Sequence, residues 1–214
     1  PHTHTAAVAC IEAWKSRIGE LPNNIGARYN NRLLTPRDWT SHFKNVLHRA
    51  LLTRGRSEGG PCRCCGFAYE NLLHLATCEK AGKIFDAVRS MAGIEEFESR
   101  REKERFALFA LVPFRKIDDG WTNLHLLLWK HLVATMVAVE LEGARYDARS
   151  VWAPAWKRFE KKALALEERV RIEIRRAEAR GEEPRDMEPR SHPLRPIGRF
   201  SKEGKLEWTR PSSV

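Results

Sequence analysis

Four of the chain's five cysteines and one histidine fall within the seventeen residues from Cys62 to Cys78. The pattern is Cys62-x2-Cys65, eight intervening residues, then His74-x3-Cys78. Cys65 is followed by Gly66, which suits a tight knuckle whose backbone N–H groups face thiolate sulfur. His74 and Cys78 are four residues apart, so on a helix they project from one face about a turn apart. Two donors from a knuckle and two from a helix make the layout of a closed tetrahedral zinc site. Three thiolates and one imidazole fill the shell, so the Zn2+ is expected to be structural rather than catalytic. Cys64 is the spare. It cannot easily share a metal with the adjacent Cys65, and it is either a solvent-facing thiol or a replacement for Cys62. A disulfide pair and unligated buried cysteines are the competing readings. Cysteines clustered with a histidine at ligand spacing favour metal, in a reducing compartment such as nucleus, cytoplasm or organelle matrix. Cys10 has no nearby ligand and reads as a small core residue.

The rest of the chain reads as mainly α. Thr5 to Leu21 is an amphipathic helix on Val8, Ile11, Trp14 and Ile18, and Pro22 to Gly26 break it. His2 and His4 read as a solvated end. Thr35-Pro36 is a helix start, a hydroxyl cap with proline at the first helical position. Trp39, Phe43, Val46, Leu47, Ala50 and Leu51 mark its apolar face, and Arg37, Lys44, His48 and Arg49 the other. A Gly-rich connection carrying Arg54 and Arg56 leads into the cysteine cluster. Glu70 to about Met91 reads as one helix ended by Gly93, and Arg101 to Leu111 as another, closed by Pro113. Lys116 to Gly120 is a turn, with Asp118-Asp119 as a cap rather than a metal-binding pair. Trp121 to Leu141 is the most apolar segment and the expected central core helix. Lys130 and His131 interrupt it, and no run of about 18 uninterrupted apolar residues exists, so no membrane span is expected. His131 reads as a core or rim histidine.

Trp152, Pro154 and Trp156 suggest an aromatic corner. Lys157 to Arg180 follows as a long charged helix with a thin stripe of Phe159, Ala163, Leu166, Val170 and Ile174. From Gly181 the composition shifts to Pro, Arg, Ser and Glu, which predicts an extended tail unable to fold alone. Phe200 and Trp208 are its candidate anchors on a partner. The expected organisation is residues 1–34 as helix and connector, 35–92 as basic helix plus zinc module, 93–155 as helical core, 156–180 as charged helix and 181–214 as basic tail. The chain begins at Pro1, which reads as a processed product or a fragment.

A formal net charge of +10 and a pI near 9.7 point to nucleic acid, another polyanion or an acidic partner. The candidate phosphate-contacting residues are Arg37, Lys44, Arg49, Arg54, Arg56 and the knuckle residue Arg63. Protein partners would meet residues 156–214.

The segment Pro61-Cys62-x-x-Cys65-Gly66, Glu70-x-x-x-His74-Leu75, Cys78-x-x-Ala81-x-x-Ile84-Phe85 resembles the zinc-binding module downstream of the reverse transcriptase domain in non-LTR (LINE-type) retrotransposons. The similarity runs from about Trp39 to Val88 and includes the helix ending Leu51-Leu52-Thr53-Arg54-Gly55. It departs from the family at Asn71, at Cys64 and in the three residues between His74 and Cys78. The resemblance implies a metal-stabilised region that contacts template RNA or target DNA and does no catalysis itself.

The sequence holds no polymerase metal motif on a strand, no phosphate-cradling loop followed by Lys-Ser/Thr, no Gly-x-Ser-x-Gly elbow and no convincing nuclease acids around Pro184-Arg185-Asp186. Two functions stay open. One is an RNA- or DNA-binding accessory module of a retroelement reverse transcriptase. The other is a non-catalytic structural subunit of a large ribonucleoprotein assembly, such as an organellar ribosome, held by its charged helix and tail.

Overall fold

The computed structural model describes residues 2–21, 34–47, 53, 60–112, 119–181, 198–201, 203 and 205–208. Its helices are α1 (His2–Ile18), α2 (Pro36–His42, passing into a π-helical turn Phe43–Leu47), α3 (Leu72–Thr77), α4 (Lys83–Met91), α5 (Arg100–Phe109), α6 (Asp119–Glu142) and α7 (Ala148–Ala179). Two short strands, β1 (Gly198–Phe200) and β2 (Leu206–Trp208), pair antiparallel with Phe200 opposite Leu206.

The most apolar segment lies at the centre. Every residue from 120 to 129 on α6 is buried, because α2, α4 and α7 all pack on that helix. By length and composition Gly120–Glu142 would suffice to cross a bilayer, with a mean hydropathy of 1.4. Here its N-terminal half is covered by protein instead. Trp129 stacks on Phe85 at 5.0 Å and its indole N–H donates to the Ala107 carbonyl at 2.6 Å. At the far side Trp14 meets Phe109 edge-on at 5.4 Å and donates to the Val46 carbonyl at 3.2 Å. Trp14 and Trp129 thus fill volume while their indole N–H groups stay paired.

Local signals explain most of the boundaries. Ser99 caps α5 in a reciprocal box with Glu102. At the start of α2 the Thr35 N–H and hydroxyl donate to the Asp38 carboxylate at 3.0 and 2.7 Å, and Asp38 N–H donates back to the Thr35 carbonyl at 2.8 Å. Asp38 then does something its sequence position does not announce. It is fully buried and accepts from Lys130 at 2.9 Å, Arg158 at 2.5 Å and Lys162 at 3.0 Å. One carboxylate therefore ties α2 to both α6 and α7. Burial alone would raise its pKa, but hydrogen bonds from Lys130, Thr35 and Lys162 more than offset this and hold it well below the carboxylate range.

Four expectations need correction. Glu70–Met91 is two helices, because the chain turns at Cys78 and restarts at Lys83. The turn is tight: a Cβ on Gly82 would lie 2.6 Å from the Cys78 carbonyl oxygen. The Trp152–Pro154–Trp156 corner is the opening of α7, whose cap is Asp147. The two indoles stack there at 6.4 Å, and Pro154, inside the helix in its second turn, both lacks the N–H that would reach the Ser150 carbonyl and crowds that carbonyl with its ring. The tail is not wholly extended, since β1 and β2 form a hairpin whose Leu206 is buried beside α7. Finally, the first helix runs from His2 to Ile18 rather than from Thr5 to Leu21. The α7 stripe is as expected: Phe159, Ala163, Val170 and Ile174 are buried and Leu166 packs at their edge. Residues 22–33, 48–52, 113–118 and 182–197, together with the side chains of Trp39, Phe43, Leu47, Asp119, Phe200 and Trp208, lie outside the described residues.

The core also holds two histidines that periodicity does not single out. His42 donates through Nε2 to the Leu108 carbonyl at 2.7 Å, and His125 lies between Phe85 and Phe106. Burial pushes His42 down to about 4 and His125 to about 3. Both are neutral when folded, whereas the unfolded chain takes up their protons below about pH 6.5. Stability therefore falls as pH drops from about 6.5 toward 4, by on the order of 2 kcal/mol for each histidine at about pH 5. Urea denaturation across that range checks this, and His42→Gln should flatten the acid limb.

Candidate metal centre

The knuckle is built by backbone hydrogen bonds. Cys62 N–H donates to the Phe67 carbonyl at 2.7 Å and Gly66 N–H to the Cys62 carbonyl at 2.8 Å. Closing the loop places Gly66 at φ +80°, a region that L side chains rarely adopt. Phe67 N–H then points at Cys65 Sγ, 3.4 Å away, and Ala81 N–H at Cys78 Sγ, 3.5 Å away. These are the sulfur-facing amides that the Cys65-Gly66 pair predicts. From the other side, Asn71 caps α3 by accepting the His74 N–H at 2.8 Å. That single turn presents His74, and Cys78 follows at its C-cap with ψ 135°.

The ligand atoms of Cys62, Cys65, His74 and Cys78 all lie within 4.8 Å of one another. His74 Nε2 is 3.3 Å from Cys65 Sγ. Around a tetrahedral ion with Zn–S near 2.3 Å and Zn–N near 2.0–2.1 Å, the S···N edge would be about 3.5 Å. The four residues are thus close enough to hold a metal ion, and the donor set is compatible with zinc. The clustered thiols hold their protons tightly. Cys62 is pushed up to about 12, first by its hydrogen bond with Cys64, and Cys78 is raised by its hydrogen bond with Cys62 and by burial. A divalent cation relieves this by displacing the thiol protons.

Cys64 stays outside the set, but it is buried rather than solvent-facing. It packs inside the knuckle, and Tyr146, from the loop before α7, lies near enough to feel the charge of Cys64, Cys78 and Cys62.

Arg63 is corrected too. Its guanidinium is turned inward, 7% exposed, and clamps the fully buried Glu70: Nε at 3.1 Å and a terminal nitrogen at 2.6 Å from Oε1. Arg63 N–H also donates to Glu70 Oε2 at 2.9 Å. Glu140 on α6 lies 3.8 Å from the same guanidinium. A cation so committed docks the knuckle on the core and is not offered to phosphate. Its sequence position carries no signal for this, since Glu70 is seven residues away on another segment. Of the remaining basic candidates, Arg37 and Lys44 are exposed, while Arg49, Arg54 and Arg56 lie outside the described residues.

Comparison with family models, with curated proteins and with solved structures gives no match to the chain. What can be said of the site rests on its geometry.

Proposed function

We propose that the chain is a non-catalytic, nucleic-acid-binding accessory module whose knuckle is held by one structural zinc ion, of the kind found downstream of a retroelement reverse transcriptase. The observation that carries this reading is the closed Cys3His set, with all four donors within 4.8 Å of one another. Three thiolates and an imidazole leave no coordination position for a substrate or an activated water, which is the mark of a structural centre. The net charge of +10 supplies the partner class. Exposed Arg37 and Lys44 precede the knuckle, and Arg49, Arg54 and Arg56 continue the basic run in sequence. The Asp38 contacts tie α2, which carries Arg37, to the core, and the cations act through charge.

The test is retention of RNA or DNA by the triple variant Lys44→Glu, Arg49→Glu, Arg54→Glu. Reversing three charges should abolish retention at low salt, because each phosphate contact contributes through counterion release. Wild-type binding should weaken steeply with salt. Undiminished retention by the variant would move the interface to the tail. Loss of all nucleic-acid binding in the wild type, with a protein assembly co-purifying instead, would favour the ribonucleoprotein-subunit alternative.

A further inference from the structure

The knuckle carries an exposed aromatic ring that the metal centre does not need. Phe67 is 66% exposed, and Tyr69, two residues on, is 51% exposed. Exposed phenylalanine on a folded surface contributes nothing to the core, and here it is also held rigidly. The Phe67 carbonyl accepts from Cys62 and its N–H donates to Cys65 Sγ. Its ring stacks on the His74 imidazole with centroids 5.6 Å apart and planes 12° from parallel. One face of the ring thus lies on a candidate metal ligand, and the ring as a whole remains largely open to solvent.

Beside it a cleft opens onto the metal centre, lined by the ligands Cys65, His74 and Cys78 and by Phe67, Thr77, Glu79 and Arg100. The chemistry of the lining narrows the occupant. Arg100 is a cation tethered at Nε by Glu104, 2.9 Å away. Thr77 offers a hydroxyl oxygen as an acceptor, its proton going to the Leu73 carbonyl at 3.1 Å, and Glu79 an exposed carboxylate. A carboxylate beside the cleft repels a phosphate group but accepts hydrogen bonds from ring and exocyclic N–H donors. A rigid aromatic plate with one cation, one hydroxyl and one carboxylate at its margin suits the flat face and polar edge of a nucleobase. The net positive charge of the chain draws the polyanion that would carry that base.

We infer that Phe67 is a stacking platform for an unpaired base of single-stranded nucleic acid, whose edge meets the Thr77, Glu79 and Arg100 side of the cleft. This rests on the nucleic-acid-binding reading above and adds to it a strand state and a contact. Because Phe67 is already ordered by the knuckle, stacking on it costs little conformational entropy.

The test uses the full zinc-loaded chain with a short fluorescent single-stranded oligonucleotide and, separately, its duplex. Phe67→Ala should weaken single-strand binding about tenfold and leave duplex binding and the salt slope unchanged, since stacking neutralises no phosphate. Phe67→Trp should restore the affinity. Phe67→Leu keeps apolar bulk over His74 and is the control for a knuckle disturbed by alanine: it should retain zinc and still bind the single strand weakly. Equal single-strand affinity of wild type and Phe67→Leu, both zinc-loaded, would overturn the platform while leaving nucleic-acid binding intact. No binding of either strand form by the wild type would instead remove the underlying reading. Protection of Phe67 by a co-purifying protein, with oligonucleotide affinity unaffected by all three substitutions, would make this face a protein contact and also overturn the inference.

Discussion

Cys78→Ser should strip the protein of its metal and melt the knuckle together with the helix on either side of it. Cys78 is 3% exposed and stands where two elements meet, at the C-cap of α3 and five residues before α4 begins. Its sulfur accepts from Ala81 N–H and its carbonyl from Gly82 N–H at 2.7 Å. A serine hydroxyl is a poor ligand, and three remaining donors hold zinc far more weakly. Because metal binding in such sites is folding energy, the loss should be on the order of 3–5 kcal/mol or more. Elemental analysis should show zinc falling from about one per chain to near zero. Far-ultraviolet circular dichroism should lose helix signal, and the melting temperature should drop. A chelator should reproduce the change in the wild type. Cys64→Ser is the internal control: Cys64 is buried but outside the four-donor set, so its variant should keep the metal and lose only about 1 kcal/mol. An unchanged melting curve for Cys78→Ser would refute a structural role for the centre.

Asp38→Ala should be the most damaging substitution away from the knuckle. The carboxylate is 0% exposed and is the common partner of Lys130, Arg158 and Lys162. Removing it leaves three cations converging on a space without a counter-charge, and breaks the cap of α2. Deleting one partner of a buried ion pair costs about 3–5 kcal/mol. Lys130 and Lys162 are 22% and 17% exposed and retain little water to compensate them, which places Asp38 toward the upper part of that range. Asp38→Asn keeps an acceptor for the Thr35 N–H but not the charge, and should recover only the cap, about 1 kcal/mol. Arg158 is 39% exposed, so Arg158→Ala should cost about 1 kcal/mol or less. Denaturant titration of the three variants measures this order. A loss below about 1 kcal/mol for Asp38→Ala would mean that the cations relax outward into water and that the hub is not a structural tie.

Residue type and spacing carry the ligand set on their own. Cys-x2-Cys before glycine demands a knuckle, and His-x3-Cys demands about one helical turn, so Cys62, Cys65, His74 and Cys78 are legible before any fold is known. The apolar run at Trp121–Leu141 is equally plain as a core helix, and the Thr35-Pro36 and Gly93 boundaries follow from local backbone chemistry. These signals are short in range, and the interactions that produce them lie within one turn of the chain.

Tertiary structure decides the rest, because burial and charge pairing depend on which distant residues arrive beside a given one. Spacing marks Cys64 as a spare, but only the curl of the knuckle buries it. Charge marks Arg63 as a phosphate contact, yet Glu70 and Glu140 take its guanidinium. Asp38 reads as a helix cap and becomes a hub through Lys130 and Lys162, which lie 92 and 124 residues away in sequence. A helical period runs unbroken through Glu70–Met91, and the metal-side turn at Cys78–Gly82 interrupts it because the sulfur must face inward toward Cys62. The chain's local chemistry thus determines that a metal-ready knuckle and a helical core form. Packing alone decides which charges are spent holding the two together and which, with Phe67, remain on the surface.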